Sequence, residues 1–256
     1  MQENSQDDYT IVVTSCGRFD LLRETLASLF EHLERPAKRV LVIEDSGDEA
    51  VRAALADLGP PIEVIVNNPQ LGQMRALDKV YALVDTPYVF HCEDDWEFFR
   101  SGFLAESFAL LKARADVSMV ALRPRGELNP LVRDMPVEKL GALEYFTLDP
   151  SLHPEYFSYS FNPGLRRLAD IRALGSLAAI GHEPDVSYAF KQRGMRMANL
   201  QQPAVRHIGD GRHVHDPTQP KKAKTPWAKL KRSIEKRVKR WKRARDGAQD
   251  YPTKKF

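Results

Sequence analysis

Pro87-Tyr88-Val89-Phe90-His91-Cys92 runs straight into Glu93-Asp94-Asp95-Trp96, and this junction decides how the chain is read. The first six residues form a short, mostly apolar run of the kind that fills a buried strand. Three consecutive carboxylates at its end repel one another unless a cation neutralises them. Hard divalent metals such as Mg²⁺ or Mn²⁺ prefer oxygen ligands and keep positions open for substrate phosphates. In sheets covered by helices, ligands bind beyond the carboxyl ends of the strands. The junction therefore reads as a metal and phosphate site on an enzyme.

Outward from it, strand and helix patterns alternate. Tyr9–Ser15 (YTIVVTS) is β-branched and strand-like, and Asp20 is placed to cap a helix whose Leu22, Leu26, Leu29, Phe30 and Leu33 share one face. Residues 39–43 (RVLVI) make a second buried strand, closed by Glu44-Asp45-Ser46-Gly47. A helix over 48–58, Pro60-Pro61 and a third strand over 62–66 follow. Residues 71–84 have helical spacing, 87–92 are the fourth strand, 102–114 another helix and 117–122 a fifth strand. Such alternation implies a parallel sheet with helices on both faces. Residues 123–163 are less regular and rich in Pro and aromatics, as substrate loops commonly are. Helical spacing returns over 166–174 and 185–193, and no internal repeat is visible.

The charge balance is uneven. Of 38 Lys and Arg, 15 fall in 221–256 beside only 3 of the 35 acids, so the tail carries +12 and residues 1–220 carry −9. Cys16 and Cys92 do not make a disulfide framework and fit a reducing cytosol. Both sit at the ends of strands that could be neighbours, which leaves an incidental bridge open. The first nine residues lack the basic-then-apolar pattern of a signal peptide. No apolar run approaches the roughly 20 residues that span a bilayer. The expectation is a cytoplasmic protein, soluble or peripheral on the inner face of the membrane.

The order of these motifs resembles the family-2 glycosyltransferases through most of 9–215. The resemblance implies an α/β GT-A fold: a Rossmann-like, mostly parallel sheet flanked by helices, with a basic C-terminal helix added here. Glu93-Asp94-Asp95 is similar to the family's Asp-x-Asp signature, with Asp95 implied as metal ligand, Glu93 facing the ribose and Asp94 beside the donor. Thr14-Ser15-Cys16-Gly17-Arg18 resembles the opening strand and turn and puts Thr14 and Arg18 at the nucleotide. Asp45 matches the acid that contacts base or ribose, though it also suits a capping Asp in a turn. Gln70-Leu71-Gly72-Gln73-Met74-Arg75-Ala76-Leu77-Asp78 resembles an Asn-x-Gly…Ala-x-Asn segment. There Gly72 permits close backbone approach, and Arg75 either reaches phosphate or decorates an amphipathic helix.

Gly181-His182-Glu183-Pro184-Asp185-Val186, before a helix ending in Arg193-Gly194, resembles the family's Glu-Asp pair. It implies Asp185 as catalytic base, with Glu183 one candidate upstream. A helix-start carboxylate held by the dipole is the plainer reading of Asp185. Arg206-His207-Ile208-Gly209-Asp210-Gly211-Arg212-His213-Val214-His215 reads as a loop that closes over a ligand. The resemblance makes His207 an extra metal ligand, with Arg212 placed to neutralise a diphosphate and His213 and His215 left open.

In the tail, Trp227, Leu230, Ile234, Val238 and Trp241 trace one helical face and cations fill much of the rest. That pattern suits a helix on an anionic membrane surface over 221–245. Packing of the apolar face on the body and nucleic-acid binding are the alternatives, the last disfavoured.

The chain accordingly divides into a catalytic domain over 1–220 and a basic amphipathic tail over 221–256. Within the first, 9–122 is the nucleotide-binding half and 123–220 the acceptor and catalytic half. The implied reaction moves a sugar, with inversion, from a nucleotide-diphosphate donor such as a UDP-sugar to a hydroxyl of a glycan or lipid-linked acceptor, using Mn²⁺ or Mg²⁺. A nucleotidyltransferase, or a non-catalytic protein acting through its tail, are the competing readings. No Gly-rich basic loop follows the first strand to cradle a triphosphate.

Overall fold

The computed structural model describes residues 7–218 and 225–247. The basic residues at 221, 222, 224, 254 and 255 lie outside them. The first half runs β1 (Tyr9–Ser15), α1 (Phe19–His32), β2 (Arg39–Glu44), α2 (Ala50–Leu55), β3 (Glu63–Val66), α3 (Gln73–Ala82), β4 (Tyr88–Glu93), β5 (Trp96–Phe98), α4 (Phe103–Ala113) and β6 (Val117–Ala121). The second half holds β7 (Glu138–Leu140), β8 (Leu143–Thr147), β9 (Gly164–Arg167), α5 (Leu168–Leu174), α6 (Leu177–Ile180), α7 (Glu183–Lys191), β10 (Arg196–Leu200), β11 (Val205–His207) and α8 (Pro226–Gly247).

Nine strands form one sheet in the order β3-β2-β1-β4-β9-β6-β10-β8-β7. β3, β2, β1 and β4 are parallel, as are β6 and β10. Residues 9–122 and 123–220 share this sheet, because β6 lies between β9 and β10. Period-2 alternation sends neighbouring side chains of one strand to opposite layers. Ile11, Val13, Val40 and Val42 pack with α1, α2 and α4, whereas Val12, Leu41 and Ile43 pack with α3, α5 and α7. Each such fully buried side chain contributes roughly 1.5–3 kcal/mol.

The helix expected over 166–174 begins later, at Leu168. Residues 164–167 instead form β9, antiparallel to both β4 and β6. A side chain at Gly164 would collide with the Val120 carbonyl of β6, so glycine lets the inserted strand close up. Arg166 on β9 is fully buried, donating to Tyr159 Oη at 3.0 Å and to the Asn162 carbonyl at 2.9 Å. The expectation that Asp20 caps α1 is also corrected. Arg18 occupies the cap position, without a side-chain cap bond, and Asp20 lies in the first turn.

β5 was not foreseen. Three residues long, it pairs antiparallel with β11 to form a separate ribbon beyond the acidic junction. Cys16 and Cys92 are free thiols. Among the described residues no helix is long and apolar enough to cross a membrane. Packing of the tail's apolar face onto the body is overturned: Trp227 is 81% and Trp241 62% exposed, with Leu230, Ile234 and Val238 exposed between them. The cations of α8 make the contact instead.

Candidate active site

β4 ends on Glu93, and the turn Asp94-Asp95 leads into β5 at the carboxyl edge of the sheet. The β5–β11 ribbon sets His207 opposite Trp96, and the Ile208 amide donates to the Asp95 carbonyl at 2.9 Å. This pairing brings His207 Nε2 to 3.4 Å from Asp95 Oδ2. Gly209 completes the approach: a Cβ there would stand 2.5 Å from Asp95 Oδ2 and 2.6 Å from its Cβ. The His-Ile-Gly spacing thus lays the β11 loop directly on the last acid of the triplet.

On the other side, Ser15 Oγ donates to Asp94 Oδ2 at 2.9 Å. Arg18 forms an ion pair with Asp94 and reaches Asp95 Oδ2 at 2.8 Å. Gln73 Nε2 lies 3.2 Å from Glu93 Oε1. Burial, with the charges of Asp95, Glu183 and Asp94, pushes Glu93 up to about 8. Burial likewise raises Asp94 to about 6, against the pull of Arg18.

A cleft of about 260 Å³ opens over these residues, lined by Thr14, Ser15, Arg18, Asp45, Gly72, Gln73 and the three acids, with 213–216 along its rim. The rim segment is anchored across the opening. Asp216 Oδ2 accepts from the Gln73 amide at 3.2 Å, and Gln70 Nε2 reaches the His215 carbonyl at 3.4 Å. Gly72, at φ +84°, has Thr218 and Asp216 where a side chain would stand. Asp45 lines the cleft while building its wall: it accepts from Asn67 Nδ2 at 2.8 Å, the Leu71 amide at 2.9 Å and the Gly72 amide at 2.8 Å.

Among the described residues no three His, Cys, Asp or Glu converge as a ready metal cage. A hard divalent cation nevertheless fits the donor set. Asp95 Oδ1 is buried and accepts no hydrogen bond, an expensive condition for a carboxylate oxygen unless a ligand meets it. Asp95 and His207 would hold such an ion from one side, leaving its other positions to substrate oxygens and water.

Not every expected residue enters the cleft. Arg75 is exposed on α3 and does not line it. The Arg212 side chain turns outward to Asp20, at 2.6 and 2.8 Å, and only its carbonyl meets Arg18, at 3.0 Å.

The two carboxylates of the α7 motif part company. Asp185 folds back to accept from the His182 amide at 3.0 Å, a capping box allowed by Gly181, whose Cβ position Asp185 occupies. Its other oxygen takes Lys239 Nζ and Arg243 Nη2 of α8, each at 2.5 Å. Burial pushes its pKa up, but these donors outweigh burial and hold it below the usual carboxylate range. Glu183 is half-buried, and its partial withdrawal from water raises its pKa. It accepts from the Phe161 amide at 3.1 Å and Ser160 Oγ at 3.5 Å, and lies close enough for its charge to act on Glu93.

Sequence reasoning missed Ser15, Gln73, Asp216 and the Phe161 amide. Ser15 and Gln73 sit inside motifs that had been singled out, whereas Asp216 carries no local signal. Phe161, expected near an acceptor, is fully buried and serves as scaffold for Glu183.

A family model, glycosyl transferase family 2, matches residues 10–166. No curated protein matches the chain by sequence. Solved structures share its fold at low identity. The mannosyltransferase PcManGT from Pyrobaculum calidifontis, in complex with GDP-Man and Mn²⁺, is 18% identical at a TM-score of 0.55, over 76% of this chain and 54% of that one. GalNAc-T7 with UDP, GalNAc and Mn²⁺ is 14% identical at 0.58, over 78% and 44%. S. aureus TarS 1-349 in complex with UDP-GlcNAc is 14% identical at 0.55, over 81% and 62%. The chain spans about half the length of the first of these. The matched model covers more than half of the chain and includes the acidic edge and most of the cleft's lining, with β10, β11 and the 213–216 rim lying beyond it; the chain belongs to glycosyl transferase family 2, a family of sugar-transferring enzymes with the GT-A fold.

Proposed function

We propose that this protein transfers a sugar, with inversion, from a nucleotide-diphosphate donor to a hydroxyl of a glycan or lipid-linked acceptor. The observation that carries the reading is Asp95, a cleft-lining acid whose Oδ1 is buried without a donor and whose Oδ2 lies 3.4 Å from His207 Nε2. Solved enzymes of this fold hold GDP-Man, UDP or UDP-GlcNAc, and UDP is the nucleotide we assign. Asp95 and His207 would hold Mn²⁺ or Mg²⁺. The ion supplies Lewis-acid stabilisation of the departing diphosphate.

The chain's own residues do the rest. Thr14, Asp45 and Glu93 line the cleft where base and ribose would lie, and the Gly72 turn leaves room for the Asp216 and Thr218 rim segment to close against it. Arg18, already at the edge of the acids, is the cation placed for the diphosphate, a role that Arg212 and Arg75 are poorly placed to share. Between the two base candidates, position favours Glu183. Its carboxylate takes the proton of the acceptor hydroxyl as that oxygen attacks the anomeric carbon opposite the leaving group. A raised pKa moves a carboxylate toward the pH where a general base works best. Asp185, capped and paired, fixes the start of α7. The exposed apolar stripe of α8 and its cations support a peripheral place on an anionic membrane.

The test is a panel of nucleotide sugars incubated with the protein and Mn²⁺, with products separated. Release of a nucleoside diphosphate that depends on metal is expected. Release of pyrophosphate would contradict transfer and point to a nucleotidyltransferase.

A further inference from the structure

α8 turns two chemically different faces in opposite directions. At about 100° per residue, Trp227, Leu230, Ile234, Val238 and Trp241 fall within about 40° of one line along the helix. All five are exposed. Lys239, Arg240 and Arg243 lie toward the far side and hold the body. Lys239 and Arg243 meet Asp185 at 2.5 Å, Arg243 meets Glu155 Oε1 at 2.7 Å and Arg240 meets Glu155 Oε2 at 3.2 Å. The Arg243 guanidinium also lies over the Tyr188 ring, 4.4 Å from its centre. Lys231, Arg237 and Lys242 are exposed and flank the apolar stripe at about 60–80° from its midline.

A row of five exposed large apolar side chains marks an interaction surface. Two Trp on such a stripe, with cations along both edges, match an anionic lipid surface, where rings sit at headgroup depth and lysine or arginine meets lipid phosphate. A nucleic acid would use the cations but leave Leu230, Ile234 and Val238 in water. Three cations of the opposite face are already engaged by the body.

We propose that α8 is a bilayer-docking clamp: its Trp-bearing face enters the headgroup layer of an anionic membrane while Glu155 and Asp185 grip its other face. The clamp holds the Glu183 side of the active site at the lipid surface instead of leaving the body on a loose tether. This rests on the peripheral-membrane reading given above and adds which face docks and how the body is held.

Three arms separate the two. Sedimentation with phosphatidylcholine vesicles, with and without phosphatidylglycerol, tests the membrane reading itself. Binding to the anionic vesicles only is expected; no binding, or equal binding to both, overturns it and the clamp together. Leu230→Gln/Ile234→Gln/Val238→Gln should weaken binding at least tenfold, with loss of the blue shift in Trp emission; Trp96 is only 2% exposed and stays silent. Wild-type binding by this variant overturns the docking face. Finally, a fluorophore at Ser151→Cys in a Cys16→Ser background should be quenched by nitroxide-headgroup lipid. Glu155→Gln/Asp185→Asn should abolish that quenching while vesicle binding persists. A body label unquenched in the otherwise native protein, or quenched equally in the double variant, overturns the clamp.

Discussion

Glu93-Asp94-Asp95 and the pair Glu155 and Asp185 are both acidic clusters on a body whose charge is negative, and their charge is met in different ways. Glu155 and Asp185 face Lys239, Arg240 and Arg243, and Asp185 is held below its ordinary range. The triplet has Arg18 as its ion-paired cation, Asp95 keeps an oxygen without a donor, and Glu93 stands near 8. One cluster is complete within the chain. The other keeps a buried carboxylate oxygen without a donor, which is where the proposed metal would bind. Acid content alone does not separate a binding site from a structural latch; the pairing of each oxygen does.

Breaking the incomplete cluster should have the largest effect. Asp95→Ala is expected to lower metal-dependent donor turnover about 10³-fold, the scale of losing a group that stabilises developing charge. It should leave the fold intact or firmer, because a buried repulsion is removed; steady-state kinetics and thermal melts read both. Glu183→Gln should lower kcat about 10²-fold with little change in donor KM, whereas Asp185→Asn should leave kcat within a few-fold. The reverse ranking would return the base to Asp185.

Gly209→Ala probes the packing of the His207 loop on Asp95. The methyl has no room, so a loss of about 1–3 kcal/mol in stability is expected from overpacking, with weaker Mn²⁺ binding by calorimetry. A smaller effect concerns pH. Glu183 has a raised pKa in the fold, so its proton-bound form is the one the fold favours. Stability is therefore fullest below the ordinary carboxylate pKa and falls as pH rises through the raised one. Glu183→Gln should melt higher than the native protein near pH 8, and the gap should close near pH 4. A gap independent of pH would mean that the Glu183 charge is not strained.

Much of the donor side was legible because its signals are local. β1, β2 and β4 are apolar runs that end on polar turns, and the Glu93-Asp94-Asp95 triplet announces itself within a few residues. His207 was reachable through its own loop. What could not be read depends on partners distant in sequence. Only Arg166 and Arg167 of β9 fell within the helix expected over 166–174, and the strand's insertion rests on the distant Gly164–Val120 contact. Arg212 and Arg18 are both basic residues near glycines, yet Asp20 draws the first outward and Asp94 draws the second in. The preference for Glu183 over Asp185 as base rests on α8, whose apolar face suggested a membrane surface or packing on the body while its cations make the contact with Asp185.

The most direct measurement is an electron paramagnetic resonance titration of Mn²⁺ into the protein with UDP present. A saturable bound-manganese signal is expected, abolished by Asp95→Ala and weakened by His207→Ala. A signal of unchanged affinity in Asp95→Ala would contradict metal binding at Asp95.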